Sequence, residues 1–274
     1  MIDNNSPFGR YAPGRATFLP RLLTKIGVSR GSFGKWVAKQ WLKKNHCIVD
    51  VTIRGINYRL NIDRNNTDKK MLTSSKIRDK VEITSVADAI KTSDIPVSES
   101  IFVDIGANTG YYTLNAAKAG YAKVIAVEPN PPVVSALLYN IKINNITEKI
   151  DVVPTCIGNG ETVSFYARED WGGSSIVIKE QGAKLITMQT KPLLEILRER
   201  NIKHVNALKI DIEGYEDKVL LPFFTAAPDT LLPKMVVIEY GHQHLWQNDI
   251  IKKMTEMGYA ASAKMRSNMI LWRQ

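Results

Sequence analysis

The sequence has few cysteines, no long apolar run, no internal repeat and no low-complexity tract. Cys47 and Cys156 are the only cysteines among 274 residues. Because two cysteines cannot form a disulfide scaffold, we expect a reducing compartment, the cytoplasm. No apolar stretch approaches the ~20 residues that a membrane-spanning helix needs. The polar, acidic N-terminus lacks the basic and apolar regions of a signal peptide. We therefore expect a globular protein without a transmembrane segment.

The positive charge is concentrated in one part of the chain. The formal net charge is +10, which by itself favours a nucleic-acid partner. Residues 1–80 contain 17 Lys and Arg against 5 Asp and Glu, whereas the rest of the chain contains 20 against 22. The basic excess therefore belongs to the N-terminal third. We interpret that third as a candidate contact surface for RNA, an anionic glycan or a membrane.

The chain is predicted to consist of an N-terminal arm and a main domain, and the basic N-terminal third extends over the arm and the start of that domain. Residues 1–46 are interpreted as a basic arm, loose over 1–18, followed by a helix in which Phe33, Trp36, Val37 and Trp41 share one face. This helix either packs on the domain or lies on a membrane surface. A main domain is predicted over 47–274. It opens, within 47–100, with a β-hairpin over 47–62, a polar stretch over 63–75 and a helix over 76–92.

From residue 101 onward, strand and helix patterns alternate. This alternation predicts an α/β fold with a doubly wound, mostly parallel sheet. An insertion near 161–190 interrupts the alternation with short strands or a hairpin. The predicted core strands are 101–103, 123–127, 150–154, 207–210 and 235–239, followed by terminal strands at 260–264 and 269–272. The predicted helices are 111–118, 133–143, 193–200, one beginning at 215, and 246–257.

The segment from Phe102 to Gly110 ends a strand and opens a helix. Gly106 and Gly110 allow the backbone to approach a ligand closely, and Asp104 is predicted to face the crevice at the strand end. Glu128 ends the next strand, 24 residues after Asp104, where a carboxylate can accept both ribose hydroxyls. The spacing differs from the G-x-G-x-x-G of dinucleotide-binding folds, and an acidic strand tip suits a cation. We therefore favour S-adenosylmethionine over a nicotinamide dinucleotide.

These segments resemble the FkbM family of class I methyltransferases. The resemblance is carried by 102–114, by 126–131, by Leu208-Lys209-Ile210-Asp211-Ile212-Glu213-Gly214-Tyr215-Glu216 and by 237–239, and it extends over roughly 47–272. It implies a Rossmann-like, seven-stranded sheet whose last strand pair is antiparallel. It also implies O-methylation of sugars, glycans or natural products, and contact between adenine and 155–157. The predicted cofactor-binding residues are Asp104, Gly106, Ala107, Asn108, Gly110, Tyr112, Glu128, Pro129, Asn130, Cys156 and Asp211.

Methyl transfer to a hydroxyl needs a base close to the donor. Asp211 is the preferred base because it ends the fourth core strand, next to the first. Glu239 and His242 are further catalytic candidates. Glu213, His244 and Trp171 are predicted substrate contacts. Alternatively, Glu213 and Glu216 complement a helix dipole, and Trp171 covers the core at a tight hairpin turn. No metal site is assigned, since the H-x-H spacing is weak evidence for one.

Several functions compete at this point. The preferred function is an O-methyltransferase for a glycan or small-molecule acceptor. The main alternative is an RNA methyltransferase that uses the basic N-terminal third to bind phosphates. A non-catalytic binding module and an NAD-dependent oxidoreductase are disfavoured, the first by the intact glycine motif and the second by its spacing. The sequence gives no prediction of oligomeric state.

Overall fold

A computed structural model describes residues 3–12, 48–73, 79–167 and 184–274. Within these ranges, no helix is long and apolar enough to cross a membrane. The predicted helix containing Trp36 and Trp41 and the predicted substrate contact Trp171 lie outside the described residues.

The elements follow the predicted alternation. The strands are β1 (Ile48–Ile53), β2 (Ile56–Asn61), β3 (Ile101–Ile105), β4 (Lys123–Val127), β5 (Ile150–Val153), β6 (Thr162–Ala167), β7 (Lys184–Gln189), β8 (Ala207–Ile210), β9 (Met235–Glu239), β10 (Tyr259–Lys264) and β11 (Asn268–Arg273). The α-helices are α1 (Asn66–Thr73), α2 (Lys80–Lys91), α3 (Tyr111–Ala119), α4 (Pro131–Lys142), α5 (Leu193–Glu199), α6 (Glu216–Ala226) and α7 (Ile250–Glu256).

A seven-stranded sheet forms the centre of the fold, in the order β10-β11-β9-β8-β3-β4-β5. Strand β11 is antiparallel to both of its neighbours, and the other pairs are parallel. The predicted doubly wound, Rossmann-like sheet with an antiparallel final pair is therefore confirmed. Because the chain leaves β3 towards β4 and later returns on its other side with β8, the sheet has a switch point there. The carboxyl ends of β3, β4, β8 and β9 meet around this point, where open α/β sheets bind ligands.

Two hydrophobic layers cover the sheet. Alternate residues of β3 point to opposite layers, so that Val103 and Ile105 join one cluster and Phe102 joins the other. Helices α5, α6 and α7 contribute to the first cluster, whereas the β1–β2 hairpin, α2 and α3 contribute to the second. The hairpin is thus part of the core packing and not an appendage.

Helix α1 lies inside the predicted polar stretch 63–75. Few of its residues are buried, Asp68 and Met71 among them, so its sequence carries little hydrophobic periodicity. The carboxamide Oδ1 of Asn65 accepts hydrogen bonds from the amides of Thr67 and Asp68, the geometry of an N-cap. This helix begins because of a local cap, which an apolar pattern does not reveal.

The first described residues are not a loose arm. The guanidinium of Arg59 donates to the carbonyls of Asp3, Ser6 and Pro7 and forms a two-point ion pair with Asp50. Its side chain and that of Asp50 are 2% and 1% exposed. The prediction of a loose arm is therefore wrong for residues 3–12, because a buried arginine on β2 holds them against the hairpin.

The predicted insertion contains a separate antiparallel pair. Strands β6 and β7 pair along their whole length, with Thr162 opposite Gln189 and Ala167 opposite Lys184. Cys156 and Ile157 connect this pair to the core, since the amide of Lys191 donates to the carbonyl of Cys156 at 2.9 Å and Ile157 bridges Lys191. The expectation of short strands at this place is confirmed, and the connection 168–183 is outside the described residues.

Candidate functional site

The loop after β3 packs closely against the loop after β8. Gly106 has φ +74°, and a Cβ added to it would lie 2.1 Å from the backbone oxygen of Asp211. Gly110 has φ +99°, and a Cβ there would lie 2.7 Å from Leu137. Only glycine fits both positions without a shift of its neighbours, because each combines a left-handed backbone with missing space. The two predicted glycines thus bring the Gly106–Gly110 loop and Asp211 into contact.

Asp104 lies beneath this loop and does not face the crevice. Its carboxylate is fully buried, with Oδ2 accepting from the hydroxyl of Thr113 at 2.6 Å and Oδ1 lying 3.4 Å from the ammonium of Lys209. The prediction that Asp104 presents its charge to the ligand is therefore wrong. Its side chain points into the packed layer between β3 and α3, where its charge is paired.

Lys209 is a residue of the site that the sequence interpretation passed over. Its ammonium is buried and donates to the carbonyls of Gly106 at 2.7 Å and Ile105 at 3.2 Å. It also lies 5.4 Å from the ring centre of Tyr112. A lysine within the otherwise apolar strand β8 was the available signal, since charged residues are almost never fully buried without a partner.

Glu128 follows β4 and is fixed by two backbone amides. Its Oε2 accepts from the amide of Asn108 and its Oε1 from the amide of Asn130, both at 3.0 Å. Burial raises the pKa of Glu128 to about 7, although these two hydrogen bonds act in the opposite direction. The carboxylate thus stands at the strand end in a fixed orientation, between two predicted cofactor-binding residues.

Cys156 lies close to Glu128. Burial, together with the negative charge of Glu128, raises the pKa of the Cys156 thiol to about 12. Its sulfur lies 3.5 Å from the sulfur of Met188 on β7. Cys156 is therefore a neutral, apolar wall of the site and not a nucleophile.

The remaining predicted cofactor residues surround the same loop. Ala107 and Asn130 are buried, and Pro129 is half-buried between Glu128 and Asn130. Tyr112 lies in the first turn of α3, and its pKa is raised well above the usual value by burial and by the carboxylates of Asp79, Glu82 and Asp211. Apart from Asp104, which lies beneath the loop, the structure thus brings the predicted cofactor residues together around the ends of β3, β4, β5 and β8.

The turn after β8 depends on a buried glutamate. Glu213 has φ +58° and Gly214 φ +97°, two successive left-handed residues. The carboxylate of Glu216 accepts from the amides of Ile212 at 2.8 Å and Gly214 at 3.1 Å, and from the indole of Trp246 at 2.8 Å. Glu216 therefore holds the turn that presents Asp211 and Glu213. The sequence interpretation treated Glu216 as a mere complement of the helix dipole, which leaves this role out.

Glu239 and His242 meet beside this turn. The imidazole Nδ1 of His242 lies 3.2 Å from Oε1 of Glu239 and 3.3 Å from Oε2 of Glu213. A Cβ on Gly241 would lie 2.5 Å from the Glu239 carboxylate, so a glycine there lets the carboxylate turn towards the histidine. Three of the predicted catalytic and substrate residues thus form one cluster on two neighbouring strand ends.

The charges of this cluster shift its titration. Burial and the negative charges of Asp211 and Glu216 raise the pKa of Glu239. Burial acts to lower the pKa of His242, but the carboxylates of Glu239, Glu213 and Glu216 outweigh it and raise that pKa. The result is an imidazole that is a stronger base than a free histidine.

His244 is less closely involved. It is exposed, and its ring centre lies 6.2 Å from that of His242. Across the described parts of the chain, no three His, Cys, Asp or Glu side chains are arranged to hold a metal ion. The structure therefore groups Asp211, Glu213, Glu239 and His242, with His244 at their outer edge.

A parallel sheet with this switch point, glycine loop and acidic strand ends defines a nucleoside-binding α/β domain. The family model described as "Methyltransferase FkbM domain" matches residues 104–261, more than half of the chain. The protein belongs to this family of methyltransferases, and S-adenosylmethionine is the cofactor that the family implies.

Solved structures with a similar fold share little sequence identity with this chain. The METTL16 MTase domain shows 15% identity and a TM-score of 0.45, and the match covers 70% of this chain. It covers 66% of the METTL16 chain, slightly less than two thirds of that chain's length. A putative caffeoyl-CoA O-methyltransferase from Staphylococcus aureus shows 11% identity and a TM-score of 0.44, over 75% and 88%. M. capricolum TrmK in complex with S-adenosyl-homocysteine shows 11% identity and a TM-score of 0.40, over 70% and 68%. A search of curated proteins gives no match.

Proposed function

We propose that the protein transfers a methyl group to a hydroxyl of a sugar, glycan or small natural product. The observation that carries this proposal is the contact between Nδ1 of His242 and the carboxylate of Glu239, beside Asp211. A hydroxyl is a weak nucleophile at neutral pH, and a positioned base typically accelerates its reaction by about 10²–10⁴. A site built for a more nucleophilic acceptor has less need of such a base.

The residues around the Gly106–Gly110 loop fit S-adenosylmethionine. The missing Cβ atoms of Gly106 and Gly110 allow close approach of the backbone. Glu128 keeps acceptor capacity on both oxygens after its two amide bonds, which suits the two ribose hydroxyls. Cys156 and Ile157 are proposed to contact the adenine, and Asn130 to contact the nucleoside beside Glu128. The bound group supplies a methyl carbon already activated by a sulfonium.

The contacts favour His242 over Asp211 as the base, a change from the ranking based on sequence. Because Nδ1 faces Glu239 and Glu213, Nε2 is the nitrogen that can receive the proton of the acceptor hydroxyl. Glu239 then stabilises the imidazolium, as the buried carboxylate does in a catalytic triad. Asp211 is proposed to orient the acceptor next to the cofactor loop. Glu213, His244 and Trp171 remain proposed substrate contacts.

A labelled methyl-transfer screen tests the acceptor class. The protein is incubated with S-adenosylmethionine carrying a tritiated methyl group and with separate fractions of neutral polysaccharide, anionic polysaccharide, glycolipid, small metabolites and RNA. We expect label on a carbohydrate or small-molecule hydroxyl that survives mild base, as an ether does. Label found only in RNA would overturn the proposal in favour of the alternative function.

A pair of substitutions tests the base. With saturating S-adenosylmethionine, we expect kcat/KM for the acceptor to rise with pH through a value above 6.5, the point at which His242 loses its proton. His242→Asn should abolish this rising limb of the pH profile and lower the rate by about 10²–10⁴. Asp211→Asn should keep the rising limb while also lowering the rate. His204→Asn is the matched control, since His204 contacts the carbonyl of Glu99 at 2.7 Å, away from the strand ends that form the site. A pH limb retained in His242→Asn and lost in Asp211→Asn would make Asp211 the base.

A further inference from the structure

The β1–β2 hairpin and helix α1 precede the family-matched region 104–261, yet Asn65 and Asp68, at the start of α1, contact the cofactor loop directly. The carboxamide of Asn65 donates to Oδ1 of Asn108 at 2.6 Å. The carboxylate of Asp68 accepts from the hydroxyl of Thr109 at 2.6 Å. Asn65 and Asp68 are 1% and 0% exposed, so the Asp68–Thr109 bond is buried and the Asn65–Asn108 bond is partly buried.

These bonds act on the part of the loop with an unusual backbone. Asn108 has φ +52°, a left-handed conformation that asparagine adopts more readily than other residues with a Cβ and that hydrogen bonds to its side chain can hold in place. Its Oδ1 accepts both from Asn65 and from the amide of Thr109 at 2.8 Å. In the same conformation, its own amide points to Glu128. The bond to Asn65 therefore helps to fix the orientation of the Glu128 carboxylate.

A third connection joins the hairpin to the loop through α4. The carboxamide of Asn140 accepts from the amide of Arg59 on β2 at 2.8 Å and donates to the carbonyl of Thr109 at 2.9 Å. Asn140 is completely buried. Both backbone and side chain of Thr109 are thus bound by groups that the hairpin and α1 provide or orient.

We propose that residues 48–73 are a component of the cofactor site, with Asn65 and Asp68 as positioning residues of the Gly106–Gly110 loop. They hold Asn108 in its left-handed conformation before the cofactor arrives. This inference rests on the cofactor assignment of the site. It adds that residues 48–73, which lie outside the family-matched region, fix the conformation of the cofactor loop.

Substitutions from both sides of the contact test the proposal. Asn65→Ser keeps a short acceptor for the first-turn amides of α1 but cannot reach Asn108. Thr109→Val removes the hydroxyl bonded to Asp68 with almost no change of volume. Thr255→Val on α7 is the matched control, because it also removes one hydroxyl bond, from Thr255 to the carbonyl of Ile251. All are compared with the wild-type chain.

Two readouts separate a positioning role from a general loss of stability. The first is hydrogen exchange of the amides of 106–110 in the protein without cofactor. The second is the calorimetric Kd for S-adenosylhomocysteine. For Asn65→Ser and Thr109→Val, we expect faster exchange confined to the loop and a Kd raised about tenfold, the order of effect expected for the loss of one hydrogen bond. Thr255→Val should leave both values as in the wild type.

The outcomes are distinguishable. Loop exchange and Kd equal to the wild-type values in both variants would overturn the proposal. Failure of the wild-type chain itself to bind S-adenosylhomocysteine would instead overturn the cofactor assignment. Should Asn65→Ser not fold, Asn65→Asp retains the acceptor for the helix amides and removes the donor to Asn108, and the same two readouts apply.

Discussion

Replacing Glu128 by glutamine gives a prediction with a defined sign and size. Burial raises the pKa of this carboxyl from 4.5 to about 7, because the amides of Asn130 and Asn108 only partly offset the loss of solvation. Each pKa unit is worth about 1.4 kcal/mol, so the rise corresponds to about 3 kcal/mol. The folded protein therefore retains a proton that the unfolded chain releases.

The sign follows from this difference in proton binding. The contribution of Glu128 to stability is present in full below pH 4.5 and is lost as the pH rises through about 7. Glutamine does not titrate, so the free energy of unfolding of the wild type should fall by about 2–3 kcal/mol relative to Glu128→Gln between pH 5 and pH 8. Other titrating groups, His242 and Glu239 among them, are present in both proteins and cancel in the comparison.

Cofactor binding should show the opposite trend. If ribose hydroxyls donate to Glu128, they favour the ionised carboxylate, and the affinity of the wild type for S-adenosylhomocysteine should rise with pH through about 7. Glu128→Gln should bind weakly at every pH. Urea unfolding and calorimetry at pH 5, 6.5 and 8 measure both effects. Two results together would refute the proposed role of Glu128 in binding the ribose: a stability difference between wild type and Glu128→Gln that stays constant within about 1 kcal/mol across this pH range, and a wild-type Kd that does not change with pH.

Two further substitutions test the packing beneath the site. Gly106→Ala places a Cβ 2.1 Å from the backbone of Asp211, so we expect urea unfolding to show a free energy of unfolding lower by at least ~3 kcal/mol. Gly120→Ala is the control: Gly120 has φ +111° and open space around it, so the free energy of unfolding should fall by only ~1 kcal/mol. Equal losses in the two variants would contradict the steric argument. Lys209→Met leaves the buried carboxylate of Asp104 without its cation and should lower the free energy of unfolding by ~3–5 kcal/mol. The double variant Lys209→Met/Asp104→Asn should recover part of this loss, because it also removes the unpaired charge. No recovery would mean that the packing of the lysine, and not its charge pairing, is responsible.

The central sheet could be predicted because its strands are short apolar runs between clear breaks. Strand β9 was predicted with the observed bounds, Met235–Glu239, and all five of its residues are buried. The observed end of helix α3 at Ala119, before Gly120 with φ +111°, follows the expected preference of glycine for the position after a helix. Where an apolar, buried run and the residues that end it mark the same boundaries, the local sequence is enough to predict the element.

Helix α1 and residues 3–12 could not be predicted in the same way. Helix α1 depends on the cap from Asn65, and residues 3–12 depend on a guanidinium 52 or more positions away in sequence. The contacts of residues 3–12 with this guanidinium exist only after the hairpin has formed, so no local pattern records them. The cap of helix α1 is local, but the helix after it carries too little hydrophobic periodicity to be recognised.

The site was predictable in its location but not in its division of roles. Strand ends of a parallel sheet meet at one edge, so residues that end β3, β4, β8 and β9 had to lie close together. The face towards which a strand residue points decides its role, and this depends on neighbours. Asp104 points into the protein layer towards Thr113, and Lys209 reaches back to the carbonyl of Gly106. Neither role follows from spacing alone.

The burial of Asp104 changes the electrostatic argument for the acceptor. The negative charge at the crevice comes not from the tip of β3 but from Asp211, Glu213 and Glu239 on the ends of β8 and β9. These carboxylates lie beside the proposed base, and a group of like charges repels an anionic acceptor at the reacting atoms. An anionic polysaccharide would therefore have to present a neutral hydroxyl to His242 while its charges lie elsewhere, for example against the basic residues 1–80. This separation of charges predicts that matched neutral and anionic oligosaccharides are methylated equally fast at high salt. At low salt, it predicts a preference for the anionic oligosaccharide.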